Sequence, residues 1–221
     1  MPHPRFEKLD DGRKRKLIDA AGHEFARSGY KNASLNAIIE ACGLSKGSFY
    51  YYFDGKADLF MTLIDFVKQI IFQGEKPDFS VLTAEQFWPM IAIMGDRSVA
   101  LAGEYAWAAK LSRVIQQEPE VIGEPMRLFL VEMQGVLRDM LLRGQELGQV
   151  RSDIPLDLIM SLAQSLDQAT DRWMAENWEK YPTQEIAQYT KVLLEMTKNF
   201  LSPPHADTTD ATDTTDIKEG Q

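Results

Sequence analysis

Ser34-Leu35-Asn36-Ala37-Ile38-Ile39-Glu40-Ala41-Cys42-Gly43-Leu44-Ser45-Lys46-Gly47-Ser48-Phe49-Tyr50-Tyr51-Tyr52-Phe53-Asp54-Gly55-Lys56 is the stretch from which the fold is read. Ser34 suits the N-cap of a short helix whose inward side is Leu35, Ile38 and Ile39. Cys42 continues that apolar side as a small core residue. Gly43 supplies the tight turn, and Ser45 caps a second short helix. Two short helices joined in this way read as a helix-turn-helix, whose second helix is shaped for a DNA major groove.

Stepping 100° per residue along the second helix places Phe49 and Phe53 together on the inner side. Gly47 and Tyr51 fall opposite them, with Lys46 and Tyr50 on one flank and Ser48 and Tyr52 on the other. A helix with two apolar anchors thus exposes Lys, Gly, Ser and three tyrosines. Burying those tyrosines would require a partner for each hydroxyl, and phosphate oxygens are natural partners. The bland alternative is a small helical subdomain with solvated Lys and Tyr. A P-loop is excluded, because the order of Gly43, Lys46, Gly47 and Ser48 is wrong and no strand precedes them.

Working outward, the 221 residues suit one large domain or a small one joined to a larger one. Hydrophobic content of 44% and charged content of 26% are ordinary for a soluble globular protein. The single cysteine rules out an internal disulfide framework and fits a reducing cytoplasm. No apolar signal region opens the chain, and no run reaches the roughly 18 apolar residues of a membrane span. The net charge of -9 argues against nucleic acid if taken whole. Its distribution does not: residues 1–56 are net basic, whereas 57–201 and 202–221 are net acidic. A basic head on an acidic body is expected where only one end meets phosphate, although a solvated patch would look the same.

Residues 1–11 lack periodicity and are expected to trail loosely. From Gly12 the pattern is helical, with Leu17, Ile18, Ala21 and Phe25 inward and the basic run Arg13–Lys16 at its start. Gly29 suits the end of that helix.

Residues from about 12 to 60 resemble the DNA-binding domain of the tetracycline-repressor (TetR) family. The match is carried by Gly43-Leu44-Ser45-Lys46-Gly47-Ser48-Phe49-Tyr50-Tyr51-Tyr52-Phe53, followed by Lys56, Leu59 and Phe60. The resemblance implies that Lys46, Gly47 and Ser48 lie against base edges and that Tyr50 and Tyr52 grip phosphates. It also implies phosphate contacts from Ser34 and Lys56. Ser45 and Tyr51, on the same exposed surface, complete the expected DNA-binding set. Helix starts present free N–H groups to anions, and Gly47 lets the backbone approach closely. Two positions depart from the family pattern: Tyr52, where many members have His, and Asp54, where a basic or neutral residue is common.

The expected fold is all-α, with a DNA-binding head (1–56), an effector-binding and dimerising body (57–201) and a disordered acidic tail (202–221). A helix from Lys56, with Leu59, Leu63, Phe66 and Ile70 along one face, links head to body and breaks at Gly74–Pro77. Five more helices are predicted, over 84–95 with Pro89 as a kink or late start, 98–117, 120–147, 156–178 and 183–201. Ile159, Leu162, Leu166, Ala169 and Trp173 stripe the penultimate helix, and Ile186, Tyr189, Leu193, Met196 and Phe200 the last. Such helices could close a core. The resemblance implies a four-helix bundle with a second copy of the chain, as two-fold DNA sites require.

The resemblance further implies a small-molecule effector, largely apolar or amphipathic, inside the body. Candidate contacts are Trp88, Met94, Glu104, Trp107, Phe129, Met133 and Trp173; Met and aromatic side chains line adaptable pockets, but they also make ordinary core. Glu104 would select a cation or donor, or else be a rim residue paired with an arginine. No catalytic constellation is found: His3, His23 and His205 have no ligand spacing to other donors, and no Gly-x-Ser-x-Gly or dinucleotide loop is present. No cofactor or metal is expected. The function expected is a homodimeric regulator, a repressor in type, that binds a palindromic duplex operator and is released by its effector. The rivals are a helical small-molecule-binding protein or enzyme with an incidental basic head, and a helix-turn-helix adaptor without a pocket.

Overall fold

The computed structural model describes residues 2–117 and 119–204, so most of the expected acidic tail lies outside the described residues. Asp10 starts the first helix, α1 (Asp11–Asn32), its carboxylate accepting from the Arg13 N–H at 3.0 Å. Gly29 interrupts α1 with φ 72°, a backbone that a side chain would strain. Helix α2 (Leu35–Cys42) ends in left-handed Gly43, where the Leu44 N–H returns to the Ile39 carbonyl at 3.0 Å. Helix α3 (Lys46–Tyr52) then crosses it. Leu17, Phe25, Ile38, Phe49, Phe53, Leu59, Phe60 and Leu63 are all fully buried, as their spacing predicts.

Helix α4 (Lys56–Phe72) leaves the head and turns off at Gln73 and Gly74, both with positive φ. The body follows as α5 (Ala84–Glu104), α6 (Ala108–Gln117), α7 (Pro119–Ile122), α8 (Glu124–Glu146), α9 (Leu156–Asn177) and α10 (Thr183–Leu201). Among the described residues no strand occurs, and the protein is all-α.

Three sequence expectations are corrected. The opening segment does not trail: Phe6 is buried, residues Phe6–Lys8 form a 3-10 turn, and the segment packs under the recognition helix. Helix α5 runs unbroken through Pro89 and past residue 95, starting from a Thr83–Gln86 capping box. The break comes instead at Tyr105–Trp107, because those two rings turn into the core against Phe66. Apolar positions on both sides of that break had read as one wide helix over 98–117. Likewise the expected 120–147 helix is two, divided at Gly123 with φ 85°.

Two buried cores organise the chain. One joins the head to Leu101, Tyr105, Trp107, Leu111, Val114 and Met126 of the body, with no gap in packing at residue 56. The other closes the far end of the body around Phe87, Trp88, Leu141, Val150, Ile159 and Leu201. Gly22 makes the head–body junction possible. A Cβ there would stand 2.2 Å from the Trp107 ring, so glycine lets the indole lie against α1. The indole N–H donates to Asp19 at 3.0 Å, fixing the ring in place.

Candidate nucleic-acid interface

The outward surface of α3 follows from its two anchors. Phe49 and Phe53 are fully buried and stack with centroids 5.3 Å apart. With that side turned inward, Lys46, Gly47, Tyr50 and Tyr51 are exposed, while Ser48 and Tyr52 are half-buried. Ser45 accepts from the Ser48 N–H at 3.0 Å and shares a 2.8 Å hydroxyl contact with Ser48, so these two residues hold the first turn rigid. Nothing larger than hydrogen stands at Gly47, where an added Cβ would lie 3.9 Å from the Ser45 hydroxyl. Steric room is therefore ample, and the bare backbone is open to an approaching groove.

Ser34 caps α2 by accepting from the Ala37 N–H at 3.2 Å, and its own N–H donates to Glu24 at 2.9 Å. The sequence reading missed Glu24. It is buried, and burial alone would raise its pKa. Hydrogen bonds from Ser34, Arg27 and Ser28 outweigh burial and hold the carboxyl below its ordinary range. This carboxylate sets the position of α2 relative to α1. An acidic residue mid-helix gives no sign of such a role in sequence, since the partner lies ten residues on.

Lys56 has an internal task that the sequence did not foretell. Its ammonium donates to the Lys31 and Ala33 carbonyls at 2.9 and 3.2 Å and lies 5.0 Å from the Tyr30 ring centroid. It ties the end of α1 to the start of α4, and one of its three N–H groups remains for any outside acceptor.

The basic charge of the head is sorted by this geometry. Arg13, Lys14, Arg15 and Arg27 pair with Asp10, Glu7, Glu104 and Glu24 respectively. Among the described residues no carboxylate pairs with Arg5, Lys16 or Lys46.

The pattern of the family described as bacterial regulatory proteins, tetR family, matches residues 17–63, which hold α2, α3 and the start of α4. Residues 17–63 thus carry the tetR-family DNA-binding pattern. The chain is 25% identical over 154 residues to the transcriptional repressor AcnR of Corynebacterium diphtheriae, covering 66% of this chain and 73% of that protein. It is 22% identical over 167 residues to the fatty acid metabolism regulator protein of Bacillus subtilis, covering 75% and 84%. Its fold is similar to that of the Bacillus subtilis transcriptional regulator FadR in complex with stearoyl-CoA, with a TM-score of 0.66, 20% identity and coverage of 83% and 96%. The relatives that the chain matches over most of its length are transcriptional regulators.

The seven expected effector contacts do not converge. Trp88 sits in the far core and Trp107 in the head-facing one. Glu104 is exposed and paired with Arg15, the rim arrangement. Trp173 is turned outward, stacked with Tyr181 at 5.6 Å and edge-on to Tyr189 at 5.8 Å. Met94, Phe129 and Met133 are half-buried. Two clefts open instead where head meets body. One of about 580 Å³ lies between α1 and α6 and includes Trp107. The other, about 760 Å³, runs beside α4 and is lined by Phe66, Phe72, Tyr105, Asp65 and Lys68 among others.

The side of α9 that borders α6 carries a second feature absent from the sequence reading. Asp167 and Asp171 stand one turn apart, and Asp171 accepts from Ser112 of α6. Burial, followed by the neighbouring Asp167 charge, pushes the Asp171 carboxyl up to about 7. A period-of-four acidic pair on a helix reads as a solvated face until its neighbours are known.

Proposed function

We propose that this regulator is a homodimeric repressor that reads a palindromic operator and is released by a small amphipathic effector. Residues 1–56 act as the reading head and 57–201 as the dimerising and effector-binding body. The observation that carries the reading is the exposed set Lys46, Gly47, Tyr50 and Tyr51 on a helix held from behind by Phe49 and Phe53. Base edges are the partners assigned to Lys46, Gly47 and Ser48, and phosphates to Tyr50 and Tyr52. Ser34 and Ser45 serve as rigid caps at the two helix starts that face the duplex.

Dimerisation is assigned to α9 and α10. Leu158, Leu162, Leu166 and Trp173 on α9, with Tyr189, Val192 and Met196 on α10, leave large apolar side chains open to solvent. A lone soluble chain rarely carries so much in one place, and a second copy would cover it. For release, the effector need only bind more tightly to the dimer whose two α3 helices no longer match adjacent major grooves. The cleft beside α4 suits this, because α1 and α4 both line it. Long-chain acyl-CoA is the first effector class to try, given the fold shared with a regulator crystallised with stearoyl-CoA.

The test is to select duplexes from a random pool with the intact chain, then measure binding at fixed salt. Lys46→Ala and Tyr50→Ala should each weaken the selected duplex tenfold or more and leave the dimer intact. Unchanged affinity in both variants would overturn the assignment of α3. Release of the selected duplex by an acyl-CoA series, with no release by free CoA, would identify the effector class.

A further inference from the structure

The carbonyls at the end of a helix lack partners within it, and the recognition helix α3 finds two of its partners in residue 3 of the chain. The His3 backbone N–H donates to the Tyr52 carbonyl at 2.9 Å, and its ring Nδ1 lies 3.2 Å from the Tyr51 carbonyl. The other ring nitrogen, Nε2, is 2.9 Å from the Asp54 carboxylate. Both ring nitrogens thus lie within hydrogen-bond distance of oxygens, which ties the end of α3 to Asp54 through a single side chain.

Phe6 fastens this segment from beneath. Its ring is buried against Phe53, with centroids 5.1 Å apart, and stands edge-on to Tyr52. Between the two anchors, His3 and Phe6, the chain presents Arg5. The guanidinium carbon lies 4.4 Å from the centroid of the Tyr51 ring, on the side of α3 turned away from Phe49. Arg5 is exposed, as is Tyr51. A guanidinium stacked on an aromatic face keeps its in-plane donors available, and that fork matches phosphate oxygens.

We infer that residues 2–9 are a working part of the DNA-reading surface, with Arg5 contacting a phosphate of the duplex beside the last turn of α3 and His3 acting as a positioning residue for that helix. The inference rests on the reading of α3 as the recognition helix. It adds a contact that lies outside the helix-turn-helix and outside residues 17–63.

The test uses the full chain, with a duplex selected by the unaltered protein and a scrambled duplex of equal length, each titrated at several salt concentrations. Arg5→Gln should weaken both duplexes by a similar factor, roughly fivefold, and lower the slope of log K against log salt by about 0.9. Arg5→Lys should restore the slope. His3→Ala should weaken the selected duplex without changing the slope, since it removes a support for α3. If Arg5→Gln leaves affinity and slope unchanged while Tyr50→Ala weakens binding, the segment is structural only and the inference falls alone. A loss confined to the selected duplex would overturn the phosphate assignment. Absence of salt-dependent binding by the unaltered chain would overturn this inference and the underlying reading together.

Discussion

The head and the outer helices of the body treat apolar side chains in opposite ways. In the head, Phe25, Phe49, Phe53 and Phe60 are each at 0% exposure, and the polar caps around them are satisfied. On α9 and α10, Leu166 is 43% exposed, Val192 58% and Met196 61%. The head is closed within one chain because α1, α2, α3 and the start of α4 share one aromatic centre. The body is less closed, with large apolar side chains of α9 and α10 open to solvent.

This contrast can be broken at several places. The largest effect is expected from Phe49→Ala, which empties the middle of the head. It should cost about 3–5 kcal/mol in urea unfolding and abolish duplex binding. A smaller loss would mean that the head is less tightly built than its burial implies. Next, Leu166→Glu places a charge on the open face of α9. Sedimentation should then show monomers at concentrations where the unaltered chain is dimeric, with helical content retained. If instead Leu166→Glu unfolds the chain, that face is core and the contrast disappears.

Gly22→Ala probes the junction between the regions. The added methyl collides with the Trp107 ring, and overpacking of this kind costs about 1–3 kcal/mol. Tryptophan fluorescence should shift as the indole leaves Asp19, a readout that a uniform loss of stability would not give. A further effect concerns pH. Asp171 keeps its proton up to about 7 in the folded chain, whereas an unfolded aspartate releases it near 3.8. Folding therefore takes up a proton between those values, so this group's stabilising contribution is full below them and is lost as pH rises toward 7. Asp171→Asn should remove that part of the slope and raise stability above pH 7 relative to the unaltered chain. Parallel stability–pH curves for the two proteins would show that Asp171 is open to water.

Where the sequence could be read, it was read through local rules. The inward side of α3, the caps Ser34 and Ser45 and the turn at Gly43 depend on neighbours within a few residues, and they lie where the spacing predicts. Lys56 and Glu24 could not be understood in that way, because their partners are 23 to 25 and 10 residues distant. The effector set failed to converge for a related reason. Trp88, Trp107 and Trp173 are all large and apolar, and hydrophobicity alone cannot say which of two cores, or which outer face, each will occupy.

By itself the sequence determined an all-helical chain with a helix-turn-helix near one end, since helical period, caps and turn glycines act over one or two turns. Tertiary structure alone decided three further matters. It broke the predicted 98–117 helix at Tyr105–Trp107, where burying two rings against Phe66 outweighed helical continuity. It docked the head onto the body through Gly22 and Trp107. It also folded residues 2–9 beneath the recognition helix, where His3 serves carbonyls nearly fifty residues away. Each depends on contacts across long sequence separation, which no local pattern encodes.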